Sequence, residues 1–247
     1  SERKSEDGRT WQEDQGDFIQ RTERLSPKTG GGKRVLLKHG NAVLAYAERS
    51  SDNTRGSVAA QKLKNIGVDA VYCDGDIETN QNGKTVRHSE ALTTPDGKVF
   101  ISSNAALSPE HIAYHENVHV NDRLQTQHYE DYESAICSNI ILGNDAYVSV
   151  CSKINDNQYG GKYDVGDPDS AKIFIQEIAA YVNEYVMTDP EYAEQTFGPM
   201  FEDWNDVTEA VHKFNTDTKA DFSQSASFYA ENGESVFFEP SVLSAEE

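Results

Sequence analysis

Large apolar side chains are sparse across residues 1–33, where Trp11, Phe18, Ile19 and Leu25 interrupt a polar run that ends in Gly30-Gly31-Gly32. Such a stretch reads as a flexible lead-in. From Val35 the pattern changes. Val35-Leu-Leu37 and Ala42-Val-Leu-Ala-Tyr46, split by His39-Gly40-Asn41, predict a hairpin. Val58 to Ile66 carries helical spacing, with Ser57 as its expected cap and Gly67 as its stop. Val68 to Tyr72 reads as a strand, and Asp74-Gly-Asp and Asn80-Gln-Asn-Gly83 as turns. Val86 to Leu92 reads as strand, Pro95-Asp96-Gly97 as a tight turn and Lys98 to Ser102 as a further strand. Ser108-Pro109 then opens a helix that runs to Leu124, with Ser at the N-cap and Pro at the first helical position.

Beyond Leu124 the spacing is helical. Tyr129 to Leu142 places apolar residues at 129, 132, 136, 140 and 141, whereas 155–169 is rich in Asn, Asp and Gly and reads as a loop. Asp167-Pro168 starts the next helix, which reaches Tyr185. Its apolar stripe is Ile173, Phe174, Ile178, Tyr181, Val182 and Tyr185. A last helix is expected over Met200 to Phe214. From about residue 217 the chain is polar, with Phe222, Phe228, Tyr229, Phe237 and Phe238 as isolated anchors.

Length and composition set the frame. The 247 residues suffice for one large or two small domains, but apolar residues make up only 36% and the mean hydropathy is -0.70, so polar segments must lie outside the core. The net charge is -20. Charges nearly balance in residues 1–34, so the negative charge lies on the remainder, a surface that repels phosphate backbones and argues against nucleic-acid binding. Basic peptides, a basic partner or divalent cations fit it better, although a solvated acidic surface with no partner is the commoner case. No apolar run approaches the roughly 18 to 20 residues of a membrane span. The opening Ser-Glu-Arg-Lys-Ser-Glu shows neither an initiator Met nor a signal-like segment, so the chain is expected to be processed or part of something longer, cytoplasmic or secreted. Cys73, Cys137 and Cys151 form no metal-type pair of cysteines. Cys137 and Cys151 read either as a disulfide or as scattered buried thiols.

The candidate chemistry sits in His115-Glu116-Asn117-Val118-His119. Residues four apart share a helix face, so His115 and His119 would offer two imidazoles to one metal ion, with Glu116 placed to reach a water beside it. His111 is also four residues from His115, but His111 and His119 are separated by about 12 Å of helix axis and cannot share an ion. A catalytic zinc needs a third protein ligand. The extension that would place Gly at 122 and His at 125 is missing, since those positions are Asp122 and Gln125. Glu177 is the better candidate, because it lies within the apolar stripe four residues after Ile173, where a carboxylate is costly unless a cation meets it. The alternative is that Glu177 pairs with a Lys or Arg. His128, nine residues past His119, could reach the site only if the chain turned back, and Glu130, Asp131, Glu133 and Glu184 are fallback ligands. The acidic runs Asp74, Asp76, Glu78 and Asp164, Asp167, Asp169 lack calcium-loop spacing and read as solvated turns.

The runs "KLKNIGVDAVYCDG", "PDGKVFISSN", "LSPEHIAYHENVH" and, 58 residues past His119, "QEIAAYV" follow the order of helix, strands, active helix and glutamate helix. Over roughly residues 57 to 186 the chain resembles a zincin metallopeptidase of the gluzincin type, and more distantly the zincin-like domains of phage and mobile-element proteins and toxin-like effectors. The resemblance implies an α+β fold, in which a small mixed sheet packs on the HExxH helix and a second, Glu-bearing helix. The expected organisation is a flexible polar arm over 1–34, the zincin-like domain over 35–215 and an acidic tail over 216–247. The implied activity is zinc-dependent peptide hydrolysis, with His115, His119 and Glu177 holding Zn2+ and Glu116 as general base toward a metal-activated water. Lys98 to Ser102 would be the sheet edge that aligns a peptide or protein substrate, and Tyr159 or Tyr163 would face the developing oxyanion. Two positions depart from the pattern: Asn121 stands where an apolar residue is usual, and Tyr181 where several gluzincins carry an Asp that orients a histidine. The alternative function is a non-catalytic binding or structural module of a larger phage or mobile-element protein.

Overall fold

The computed structural model describes residues 55–72, 77 and 88–223, and for the backbone alone 73, 78–81, 84–87 and the strands at 35–39, 42–47, 226–229 and 235–238. The expected arm over 1–34 and the turns at 74–76 and 82–83 lie outside these residues. The fold is α+β. Strands β1 (Val35–His39), β2 (Ala42–Ala47), β3 (Ala70–Cys73), β6 (Ala91–Thr93) and β7 (Val99–Ser102) form one mixed sheet in the order β1-β2-β3-β7-β6. Within it β3 and β7 run parallel, while β1–β2, β2–β3 and β6–β7 are antiparallel. Two further hairpins stand apart from this sheet, β4 (Ile77–Gln81) with β5 (Lys84–His88) and β8 (Ala226–Tyr229) with β9 (Ser235–Phe238).

The parallel β3–β7 pair requires a partner that covers its face. Helix α1 (Arg55–Asn65) supplies it, burying Ala59, Ala60 and Leu63 against Tyr72, Val99 and Ile101. Gly56 permits the approach: a Cβ there would stand 2.2 Å from the Ser102 carbonyl oxygen. The helix begins two residues before Ser57, so Ser57 is buried inside its first turn and is no cap, while Gly67 ends the segment at φ +88° as expected.

Helix α2 (Pro109–Arg123) carries the histidine motif. Ser108 caps it, its hydroxyl accepting from the His111 N–H, and Pro109 occupies the first turn. Ile112, Ala113, Tyr114 and Val120 pack into the sheet-side core, and Val118 into a second core built by the later helices. The motif helix is therefore the seam between the two cores. Helices α3 (Gln127–Asn139), α4 (Asp145–Tyr159), α5 (Ala171–Thr188), α6 (Pro190–Phe197) and α7 (Trp204–Asp217) form the second layer. Central among them is α5, which buries Ile173, Phe174, Ile178 and Val182 completely or nearly so. It is locked to α2 by Asn183, whose amide donates to the Tyr114 carbonyl at 2.9 Å and accepts from Asn215 of α7 at 2.7 Å.

The last described residues fold back onto the motif helix. Thr218 accepts from Asn117 at 3.2 Å, the Phe222 N–H donates to the Tyr114 hydroxyl at 3.0 Å, and buried Lys62 donates to the Phe222 carbonyl at 2.6 Å. Phe222, expected as an isolated anchor, lies edge-on to Tyr114 with ring centroids 4.8 Å apart.

Several expectations are corrected. Val99–Ser102 is no sheet edge: β7 lies between β3 and β6 and is buried at every position, so the edge on this side of the sheet is β6. The predicted strand over 86–92 is two strands, β5 and β6, broken at Ser89-Glu90. The loop expected over 155–169 is helical as far as Tyr159, where Gly160 and Gly161 stop α4 at φ +59° and +75°. Helix α6 was not foreseen, and the final helix starts at Trp204 rather than Met200, behind an Asp203 cap. Cys137 is an exposed and Cys151 a buried free thiol, so this pair forms no disulfide. Among the described residues no helix is long and apolar enough to cross a membrane.

Candidate metal centre

Three of the predicted site residues meet where α2 crosses α5. His115, His119 and Glu177 each offer one ligand atom, and these atoms lie within 4.8 Å of one another. The Nε2 atoms of His115 and His119 are 3.1 Å apart, His119 Nε2 is 3.1 Å from Glu177 Oε1, and His115 Nε2 is 3.4 Å from Glu177 Oε2. Four-coordinate zinc with bonds of about 2.0–2.1 Å separates neighbouring ligand atoms by about 3.3–3.4 Å. The triangle fits.

The hydrogen bonds around it decide which atoms face inward. His115 Nδ1 lies 2.9 Å from Glu184 Oε1, and an ionised carboxylate only accepts, so Nδ1 carries a proton and Nε2 is the atom turned toward His119 and Glu177. Glu177 Oε2 is buried, with His115 Nε2 at ion-pair distance. Two imidazoles and a carboxylate turned on one another are a donor set that one cation, a proton or a metal ion, can bridge. The group can hold a metal ion.

Without an ion, a proton on His115 takes the cation's place. Burial pushes the His115 imidazole toward its neutral form, but the Glu177 and Glu184 carboxylates outweigh it and hold the group well above its ordinary 6.5. Burial would raise the Glu177 carboxyl, yet His119 and His115 hold it well below its usual value. Glu184 is likewise lowered: burial opposes ionisation, and hydrogen bonds from His111 and His115 overcome it.

Glu116 is buried on the sheet side of α2, where the Thr93 hydroxyl of β6 donates to its Oε2 at 2.6 Å. His111 is no ligand. Its Nδ1 lies 2.8 Å from Glu184 Oε2 and its ring stands edge-on to Tyr185. Glu184, considered only as a fallback ligand, instead accepts from both His111 and His115, and so does the orienting work missing at Tyr181. It lies seven residues, about two helical turns, after Glu177, on the same face of α5. That spacing was the available signal. Tyr181 packs its ring edge against His115 with centroids 4.6 Å apart and accepts from Gln158.

The other expected residues lie elsewhere. His128 is exposed, 3.8 Å from Asp217, and Glu130 and Asp131 are exposed on α3, with Glu133 on the same helix half-buried. Tyr163 is buried between Tyr159 and Phe174 at centroid distances of 5.1 and 6.4 Å, so the two loop tyrosines anchor the α4–α5 connection. Asp164 and Asp167 cap their own turns through the Gly166 and Asp169 N–H groups. Asn121, the other departure from the gluzincin pattern, is satisfied within the chain. It donates to the Asn117 carbonyl and accepts from Thr126, tying the end of α2 to the start of α3. No family model, curated protein or solved structure matches this chain.

Proposed function

We propose that this chain is a zinc-dependent metallopeptidase of zincin type, with His115, His119 and Glu177 as the metal ligands and Glu116 as the general base. The observation that carries the reading is the convergence of the three ligand atoms, with a buried glutamate directly following the first histidine in the same helix. Two imidazoles and one carboxylate form a donor set suited to zinc, and three protein ligands leave one position for water or substrate. Bound there, zinc would polarise the scissile carbonyl and lower the pKa of a water.

The chain's own groups supply the rest. Glu184 fixes the His115 tautomer, so that Nε2 stays a lone-pair donor. Glu116 takes the proton of the attacking water and delivers it to the leaving amine, and the Thr93 hydroxyl limits its carboxylate to one orientation. Tyr181 closes one side of His115. A peptide is a better match for an acidic surface than a phosphodiester, since the chain carries a net charge of -20.

Zinc content tests the ligand set. Wild type purified without chelator should hold one zinc per chain, and His119→Ala and Glu177→Ala should each lose most of it. Equal, near-zero zinc in all three proteins would remove the metal centre and the peptidase with it.

A further inference from the structure

The β6 strand is short, but its backbone has a definite polarity. The Thr94 N–H donates to Lys98 O and the Ser102 N–H to Glu90 O, each at 2.8 Å, and the register pairs Leu92 with Phe100. The pairs 90/102, 92/100 and 94/98 are therefore the hydrogen-bonded ones. Ala91 and Thr93 fall between them, so their N–H and C=O groups point away from β7, toward the free edge of the sheet. No strand among the described residues pairs with that edge. Thr93 thus has two outputs. Its main chain faces the position an added strand would occupy, and its buried hydroxyl donates to Glu116 Oε2 at 2.6 Å.

We propose that Thr93 is a positioning residue that ties the sheet edge to the general base: an extended substrate peptide pairs with the Ala91 and Thr93 main chain while the Thr93 hydroxyl holds Glu116 in its working orientation. The inference rests on the metallopeptidase reading and deepens it. One residue then sets the distance between the substrate backbone and the proton acceptor, because no rotatable side chain intervenes on the substrate side. The occupant is an extended main chain, recognised by strand addition, with side-chain selectivity left to the neighbouring surface.

The first test needs no turnover. In the metal-free protein the Thr93 hydroxyl proton should give a slowly exchanging NMR resonance that disappears in Glu116→Ala. In Glu116→Gln loaded with zinc, a library of lysine-rich unstructured peptides should slow amide exchange at Ala91 and Thr93. The second test is kinetic. Thr93→Val, which keeps the shape and loses the donor, should lower kcat about ten- to a hundredfold with KM little changed. Thr93→Ser should restore most of the rate, and Thr93→Val should add nothing in a Glu116→Gln background. A hydroxyl resonance indifferent to Glu116, a serine variant as impaired as the valine one, or an effect on KM alone would each overturn the proposal. Absence of hydrolysis by the zinc-loaded wild type, with the resonance and edge protection intact, would fall on the metallopeptidase reading and leave the Thr93 link supported.

Discussion

Replacing Glu184 by Gln keeps the volume of a side chain that is 2% exposed and removes its charge. In the native protein each carboxylate oxygen serves a different histidine: Oε1 is 2.9 Å from His115 Nδ1 and Oε2 is 2.8 Å from His111 Nδ1. Glutamine offers one acceptor oxygen, so its amide N–H2 must face one of the two rings. Either His111 changes tautomer, or His115 does and presents N–H instead of a lone pair to the ion. Loss of an orienting carboxylate typically weakens metal binding about ten- to a hundredfold, or about 1.4–2.7 kcal/mol. A second effect opposes this one. Glu184 also favours the proton on His115 that competes with the metal, so its removal lessens that competition. The deficit should therefore be largest at a pH above the raised His115 value and shrink toward neutrality. Competition titration against a chromophoric zinc chelator at both pH values measures it. Unchanged or tighter binding by Glu184→Gln at the higher pH would refute the orienting role.

The raised His115 and lowered Glu177 also define how metal-free stability depends on pH. His115, raised above its ordinary 6.5, contributes stability fully present below that value and lost as pH rises through the folded one. Glu177, lowered from 4.5, contributes above that value and loses its contribution as pH falls through the folded one. Urea unfolding of metal-free protein should thus show its maximum between about 4.5 and 6.5, with the alkaline decline abolished by bound zinc; a metal-free profile still rising above pH 7 would contradict it. Zinc binding near neutrality should release about one proton per ion, seen as a buffer-dependent enthalpy in calorimetry. Gly56→Ala forces α1 off β7, because the new methyl would overlap the Ser102 carbonyl, and should cost about 1–3 kcal/mol in urea unfolding without changing zinc affinity.

What could be read from the sequence was what one helix can display. His115 and His119 share a face by spacing alone, and Glu177 stood out as a carboxylate on an apolar stripe whose neighbours Ile173, Phe174 and Ile178 are all buried. Glu184 carried the same signal one heptad later, yet a lone carboxylate does not say whether it will touch a metal or a histidine. That depends on the crossing of α2 and α5. Thr93 was invisible because its link to Glu116 spans 23 residues and two elements. The mistaken edge has a similar origin: Val99-Phe-Ile-Ser102 is apolar enough for a central strand, whereas three-residue β6 is too short for a periodicity to register. The loop read over 155–169 starts one turn too early because Asn155, Asp156 and Asn157 favour turns. Asn155 is instead buried, donating to the Tyr163 carbonyl at 2.6 Å and accepting from its N–H at 3.0 Å, a tertiary role that outweighs its low propensity.

The central claim is that Glu116 acts as a base beside a metal held by His115, His119 and Glu177. It is tested most directly by peptide hydrolysis in zinc-loaded wild type and Glu116→Gln, compared at equal zinc content. One zinc is expected in both proteins, with peptide cleavage by the wild type and a rate lower by about 10²- to 10⁴-fold in the variant. Cleavage at the wild-type rate by Glu116→Gln, or none by the zinc-loaded wild type, would contradict it.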